Sequence, residues 1–228
     1  MGTSRCSGEI RLSDPWKRFS TPCISDALDR LGIAGQCFGL KLITGTHMAG
    51  RAFTVKYGPL QGGGTVGDYL DDVPAGFVVA LDNGGRTNVT VWGDILTAAA
   101  IRNGLAGVAI DGACRDVPRF ADGTLPVFAR GVFMRTGKGR VQAEAVQGRI
   151  SLGGASVWPG DIIVGDQNGV VVIPRAREEE VLAVAHEIET AEQGIVEMLT
   201  QGSSVKAARE RYGYHSLQSS SAAKRGNS

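Results

Sequence analysis

An excess of charge of one sign is missing from this sequence. Its 24 lysines and arginines nearly balance 23 aspartates and glutamates, for a formal net charge of +1. A surface built for nucleic acid normally shows a basic excess or stripe, so no nucleic-acid partner is expected. Long apolar runs are missing as well. No segment reaches the length that crosses a bilayer, so no membrane contact is expected. Met1 to Pro15 is polar and lacks the apolar core of a secretory signal. Cysteine is scarce, and Cys6, Cys23, Cys37 and Cys114 include no CxxC pair, which argues against a zinc site. With no export signal, free thiols in a reducing cytoplasm are expected. Histidine is scarcer still. His47, His186 and His215 form no HExxH and no Ser-His-Asp or Cys-His arrangement. There is no internal repeat, and the 33 glycines follow no triplet period, which excludes collagen.

What is present suits one domain. A length of 228 residues, 43% of them hydrophobic, is enough to bury a substantial core. Residues 1–14 are expected to be flexible, 15–213 to form a single domain and 214–228 to be a disordered Ser-rich tail. Thr21-Pro22 reads as a helix start, with Thr21 as the N-cap and Pro22 at the first helical position. That helix runs to about Leu31 and stops at Gly32. Gly50 to Tyr57 alternates as a strand, with Phe53, Val55 and Tyr57 on one face. Gly58 to Gly67 is a glycine-rich loop. It lacks the Lys-Ser/Thr ending of a phosphate-binding P-loop, and a mobile loop over a site is its expected role. Leu125 to Arg130, Arg149 to Leu152, Asp161 to Gly165 and Val170 to Pro174 read as strands. Turn signals such as Pro159-Gly160-Asp161 and Asp166-Gln167-Asn168-Gly169 separate the last three. Glu178 to Leu199 is a long amphipathic helix whose stripe comprises Val181, Leu182, Val184, Ile188, Ile195 and Leu199. Such a stripe serves as core or as a subunit contact. Ser204 to Tyr212 reads as one more helix.

Chemistry concentrates between Phe77 and Asp116. Phe77 to Asp82 and Ala106 to Asp111 read as buried strands. Between them, Gly93 to Asn103 reads as a helix that Gly104 ends. If the strands are parallel, their C-terminal ends and the helix start share one edge of the sheet. Asp82, the amides of Gly93 to Leu96 and the pair Arg115-Asp116 would then converge there. Free amides at a helix start bind carboxylates. An arginine can hold a carbonyl or enolate oxygen, and an aspartate a hard metal ion. An Arg-Asp pair after a strand is by itself more often a turn or a surface ion pair; its place at the ligand-binding edge of an α/β sheet is what singles it out. Cys114, beside Arg115, reads as a small residue packed under the loop rather than a low-pKa nucleophile.

These segments resemble the RraA-like superfamily. It includes class II pyruvate aldolases acting on 4-hydroxy-4-methyl-2-oxoglutarate and 4-carboxy-4-hydroxy-2-oxoadipate, and also regulators of ribonuclease E. The resemblance covers about Thr21 to Gly202. It rests on Ser25-Asp26-Ala27-Leu28, Gly50-Arg51-Ala52, Trp92-Gly93-Asp94-Ile95-Leu96, Gly107 to Asp116, Pro159-Gly160-Asp161, Asp166 and Gly169 to Pro174. The aldolases place an aspartate about twenty residues ahead of Arg-Asp, as Asp94 stands to Arg115-Asp116.

The resemblance implies an α/β, swivelling β/β/α layered domain with a C-terminal helical extension. It implies that Asp116 binds Mg²⁺ or Mn²⁺ through a water-rich shell, that Arg115 contacts the 2-oxo oxygen, and that the amides of Gly93, Asp94, Ile95 and Leu96 hold the substrate carboxylate. Asp94 would position a water or help proton transfer. A glutamate from the C-terminal helix of a neighbouring subunit, Glu192 with Glu187 and Glu189 as alternatives, would complete the site in a homotrimer or homohexamer. Three places depart from the aldolases: Leu60 to Gly67, Asp82 to Thr90, and Arg119. The expected function is a metal-dependent carbon–carbon lyase cleaving a 4-hydroxy-2-oxo acid to pyruvate and a second oxo acid, with oxaloacetate decarboxylation as a side activity. No lysine sits in the motif, which argues against a Schiff base. The alternatives are a non-catalytic binding protein of the regulator type, or a relative recruited to another reaction on an oxo or hydroxy acid.

Overall fold

The computed structural model describes residues 15–62, 64–120 and 123–214. Residues 1–14 and all of the expected tail except Tyr214 lie outside the described residues. Helix α1 spans Thr21–Arg30, and its cap is Ser20 rather than Thr21. The Ser20 hydroxyl accepts from the Cys23 amide at 3.3 Å. Thr21 is already helical, and both its amide and its hydroxyl donate to the Asp166 carboxylate, at 2.8 and 2.7 Å. Gly32 follows at φ +66°, a left-handed position suited to the residue after a helix end.

The strands are β1 (Gln36–Cys37), β2 (Lys41–Thr44), β3 (Met48–Pro59), β4 (Val78–Asp82), β5 (Thr90–Trp92), β6 (Gly107–Cys114), β7 (Val127–Val132), β8 (Val141–Val146), β9 (Ile150–Leu152), β10 (Ala155–Val157), β11 (Ile162–Asp166) and β12 (Gly169–Ile173). The remaining helices are α2 (Asp94–Arg102), α3 (Glu178–Thr200) and α4 (Val205–Arg211). The main sheet runs β1-β12-β11-β3-β4-β6-β7-β2, with β5 on β6 and β8 on β3. Its centre is parallel: β3 with β4, β4 with β6, β6 with β7 and β5 with β6. The flanking pairs are antiparallel. β9 and β10 form a separate hairpin. Among the described residues no helix is long and apolar enough to cross a membrane.

The two-residue period of the strands divides the core into layers. On one face of the parallel strands, Phe53, Val55, Tyr57, Val79, Leu81, Val108 and Ile110 pack with α2. Phe53, Val55 and Tyr57 thus share a face, as their alternation predicts. On the other face, Ala52, Val78, Ala80, Ala109 and Phe128 pack with the β9–β10 hairpin and with Ile163 and Val172. The third layer is α1 and α3 laid on the far side of β11 and β12, through Ile24, Leu28, Ile162, Val164, Val181 and Ile188. This accounts for most of the α3 stripe. Val181, Val184, Ile188 and Ile195 are buried within the chain, so they need no neighbouring subunit to cover them.

Candidate active site

The strand–helix–strand unit is parallel, as the sequence suggests: β4 and β6 pair in register from Val78 with Gly107 to Asp82 with Asp111. β5 joins the far end of β6, Trp92 opposite Cys114. The strand ends and the start of α2 therefore meet on one edge. Trp92 is buried and its indole donates to the Thr97 hydroxyl at 2.9 Å, which in turn donates to the Gly93 carbonyl at 2.9 Å. That chain of bonds fixes the first turn of α2 to the strand before it. The Arg115 amide donates to the Trp92 carbonyl at 3.0 Å, so the loop after β6 is tied to the same point.

Gly93 lets the two segments approach. A Cβ on it would lie 2.8 Å from Asp116 Oδ2 and 3.4 Å from Arg115 Cγ. Asp116 sits in the left-handed region at φ +61°, ψ +28°. Aspartate tolerates that conformation better than most residues, but at a cost that persists only where the surroundings enforce it. Its Oδ2 pairs with Arg115 Nε at 3.2 Å, and about a third of each side chain remains exposed. Asp94 opens α2. Its carboxylate accepts from its neighbour's amide, Ile95 N, at 2.9 Å and from Arg119 Nη1 at 3.2 Å. What desolvation Asp94 suffers raises its pKa. The bonds from Arg119 and Ile95 and the charges of Arg119 and Arg115 outweigh it and hold the carboxyl below its usual value.

Arg115, Gly93, Asp94, Ile95 and Leu96 line a cleft of about 590 Å³; Asp116 is not on that lining and lies behind it, against Gly93 and Arg115. The glycine-rich loop forms its opposite wall from Gly64 to Gly67, as expected of a loop over the site. It is also anchored. The Gln142 side-chain oxygen accepts from Gln61 and Gly64 amides at 3.2 Å each, and the Tyr57 hydroxyl donates to the Val66 carbonyl. Two further groups on the lining, Lys138 and Arg102, escape the sequence reading. The signal for Lys138 was the short basic run from Arg135 to Arg140; nothing in the run itself ties it to β5. Cys114 is fully buried and burial pushes its thiol up to about 11, which suits packing and not nucleophilic attack.

The RraA-like family profile (Aldolase/RraA) matches residues 21–172. The chain belongs to the RraA-like family. It is 41% identical over 196 residues to Protein DlpA of Legionella pneumophila, a match covering 84% of this chain but 32% of DlpA, so the chain spans about a third of that relative's length. It is 34% identical over 182 residues to a Halalkalibacterium halodurans protein provisionally named 4-hydroxy-4-methyl-2-oxoglutarate aldolase, covering 78% of this chain and 83% of that one. Among solved structures, an uncharacterized protein from Pseudomonas syringae pv. tomato superposes with TM-score 0.80 at 40% identity, covering 86% and 95% of the two chains. Streptomyces coelicolor RraAS2, described as an unusual member of the RNase ES inhibitor RraA protein family, gives TM-score 0.73 at 26% identity, covering 82% of this chain and 96% of its own.

Two residues of this RraA-like chain stand away from the cleft. Asp82 lies on the right edge but the wrong face. It shares its side of β4 with Val78 and Ala80, so it points toward the hairpin, where its carboxylate accepts from Gly84 N at 2.9 Å and Ser151 N at 3.1 Å. Asp111, its register partner, likewise accepts from Gly153 N and binds Arg130. Both staple the hairpin to the sheet. Glu192 is on α3, which packs on α1 in a separate layer and contributes nothing to the lining of this chain's own cleft. Burial, then the nearby carboxylates of Asp26 and Glu189, push its pKa up. The alternatives are engaged: Glu187 pairs with Arg30 at 2.8 Å and Glu189 with Arg18.

No group of three or more His, Cys, Asp or Glu side chains forms a metal cage among the described residues. The single hard oxygen donor of Asp116, partly exposed, fits an ion that keeps most of its waters. Magnesium behaves in this way.

Proposed function

We propose that this protein is a divalent-metal-dependent carbon–carbon lyase of the class II pyruvate aldolase type, with Mg²⁺ or Mn²⁺ held by Asp116. One observation carries the reading: Arg115 and the first turn of α2 line one cleft, and the left-handed Asp116 packs directly behind them against Gly93 and Arg115. In a 4-hydroxy-2-oxo acid the 4-hydroxyl gives up its proton and the C3–C4 bond breaks. C4 becomes the carbonyl carbon of one product. The bond's electrons remain on C3 as pyruvate enolate, which takes a proton to become pyruvate. The α2 amides of Gly93, Asp94 and Leu96 hold the substrate carboxylate, the Ile95 amide being taken by Asp94. Arg115 donates to the 2-oxo oxygen as it gains charge, a contact of the kind worth about 10²–10³ in kcat. The metal ion, when bound, supplies Lewis-acid stabilisation of the same charge. Asp94, kept ionised, orients a water or accepts the hydroxyl proton. Oxaloacetate decarboxylation leaves the same enolate and follows as a side activity.

The active assembly in this reading is a homotrimer or homohexamer in which Glu192 of the partner subunit reaches the cleft. The distance of Glu192 from its own chain's cleft layer supports an exchange between subunits, and a contact that closes by rotation makes a ring. The likeness to RraAS2 favours a second reading, a non-catalytic regulator. An adaptor has no need of a strained aspartate packed on a helix start, so the enzyme is preferred. The test is a screen of 2-oxo acids by coupled pyruvate detection. Activity is expected with Mg²⁺ or Mn²⁺, absent with EDTA, and absent in folded Asp116→Ala. Full activity of metal-free enzyme refutes the metal assignment. No pyruvate from any acid favours the regulator.

A further inference from the structure

The cleft is longer than the group that reacts in it. Its wall follows a stripe of α2 from Asp94 through Leu96, Ala99 and Arg102. At 1.5 Å per residue, Asp94 and Arg102 stand about 12 Å apart along the axis. Leu96, Ala99 and Arg102 are spaced by three and share one side of the helix. A 2-oxo acid head seated at Gly93 and Arg115 takes only the first part of that length, so whatever hangs from C4 lies along α2.

The surface met there is apolar. Val66 and Leu70 line the cleft with Leu96 and Ala99. All four also pack against the main hydrophobic core. Gly67 presses on Leu96 so closely that a Cβ would stand 2.4 Å from Leu96 Cδ2, which fixes the width. The charged groups at this end leave an excess of one negative charge. Arg102 is bound to Asp71 at 3.2 Å, and Asp68 adds a further carboxylate to the lining. Lys138 belongs to the other end: its neighbours Thr136 and Gly137 abut Thr90 of β5, the strand that leads into Gly93. Among the described residues the distal half therefore holds no surplus cation for a second carboxylate. Burying a carboxylate unpaired against these side chains is costly.

We infer that the cleft takes 4-hydroxy-2-oxo acids whose C4 substituent is uncharged and apolar, selected by Val66, Leu70, Leu96 and Ala99. The products are then pyruvate and an apolar aldehyde or ketone. This differs from the diacid in the name of the Halalkalibacterium relative, and it rests on the lyase reading of the same site.

The experiment compares kcat/KM for 4-hydroxy-2-oxo acids bearing C4 alkyl or phenyl groups with that for C4-carboxylated ones. Oxaloacetate decarboxylation serves as a reaction confined to the head end. Each methylene laid along α2 should raise kcat/KM by about tenfold, and alkyl substrates should exceed carboxylated ones. Ala99→Glu should cost the alkyl substrates about tenfold more than it costs oxaloacetate. Ala99→Leu, a milder change, should move the optimum to shorter substituents. A preference for carboxylated substrates, with oxaloacetate turned over, overturns the inference and leaves the lyase standing. Turnover of none of these acids with Mg²⁺ or Mn²⁺ overturns both.

Discussion

Gly93→Ala separates the fold from the site. Gly93 lies at φ −159°, ψ −165°, extended backbone that alanine adopts without strain. The cost is confined to the new methyl. It meets Asp116 Oδ2 at 2.8 Å, Arg115 Cγ at 3.4 Å and Arg115 Nε at 3.5 Å. Restoring ordinary van der Waals separation moves the Asp116 carboxylate by roughly 0.5 Å or more. Glycine is also a fair helix N-cap and alanine a poor one, a difference of about 1 kcal/mol or less. For a domain of this size that lowers Tm by roughly 2–4 °C. The chemistry is less forgiving, because a 1 Å misplacement costs about 10²-fold. The expected result is a fall in kcat/KM of about 10- to 100-fold, with weaker Mn²⁺ binding and a nearly unchanged melting curve.

The assay is pyruvate release from oxaloacetate in parallel with Mn²⁺ titration followed by electron paramagnetic resonance. Gly148→Ala is the control, since nothing lies within 4 Å of a Cβ there, and it should be silent in both. If Gly93→Ala keeps wild-type turnover and wild-type Mn²⁺ affinity, then Asp116 and Arg115 are not where the reaction happens. A loss of activity matched by a large loss of Tm refutes the reasoning differently, by showing that Gly93 serves the fold.

Arg115→Lys keeps the charge but not the planar fork, so kcat should fall about 10²–10³-fold; wild-type turnover makes Arg115 structural. Asp166 titration should appear in acid stability. Burial raises its pKa, but bonds from Thr21 and Asn168 outweigh this and hold it below the usual 3.8. Its stabilisation is therefore whole above that value and is lost as pH falls below it through the depressed folded value. Asp166→Asn should flatten the acid limb of a stability–pH curve, and an unchanged limb counts against the pairing with Thr21. Mixing Asp116→Ala with Glu192→Ala after dissociation and reassembly should restore part of the activity if the site is shared. No recovery, or a fully active monomer by light scattering, ends the shared-site proposal.

The long elements were legible because period carries over many residues. β3 and α3 repeat their apolar pattern long enough to name both the element and its buried face. α2 and β6 are legible as elements only: the apolar side Ile95, Leu96, Ala98, Ala99 and Ile101 expected of α2 leaves Ile95 77% exposed while Thr97 and Ala100 are its buried positions, and β6 is buried on both faces. The short edge strands β1, β2 and β5 have two to four residues each, too few for a period to show. β8 hid for another reason. Its Gln142, Glu144 and exposed Val146 mix polar and apolar residues, and only Val141 is buried. What specifies β8 is pairing with β3, Val55 to Val146 and Pro59 to Val141, a contact between segments far apart in sequence. The α3 stripe shows the converse limit. A stripe announces that something covers it, yet only the sheet order reveals that α1, β11 and β12 already do.

The site was legible to the same depth. A parallel β4–α2–β6 unit fixes which edge collects Gly93, Asp94, Arg115 and Asp116, and the sequence sufficed for that. The misplacement of Asp82 came from stopping at the edge. Leu81 and Asp82 are consecutive in a strand and must point to opposite faces. Leu81 packs with α2, so Asp82 belongs to the hairpin side, where it holds Ser151. That parity was present in the sequence and needed only one apolar neighbour as a reference. Glu192 is a different matter. No period or spacing relates α3 to the α2 edge, and within one chain the two occupy separate layers. The relation can exist only across a rotation between subunits, which is why reassembly of two damaged chains is the measurement that addresses it.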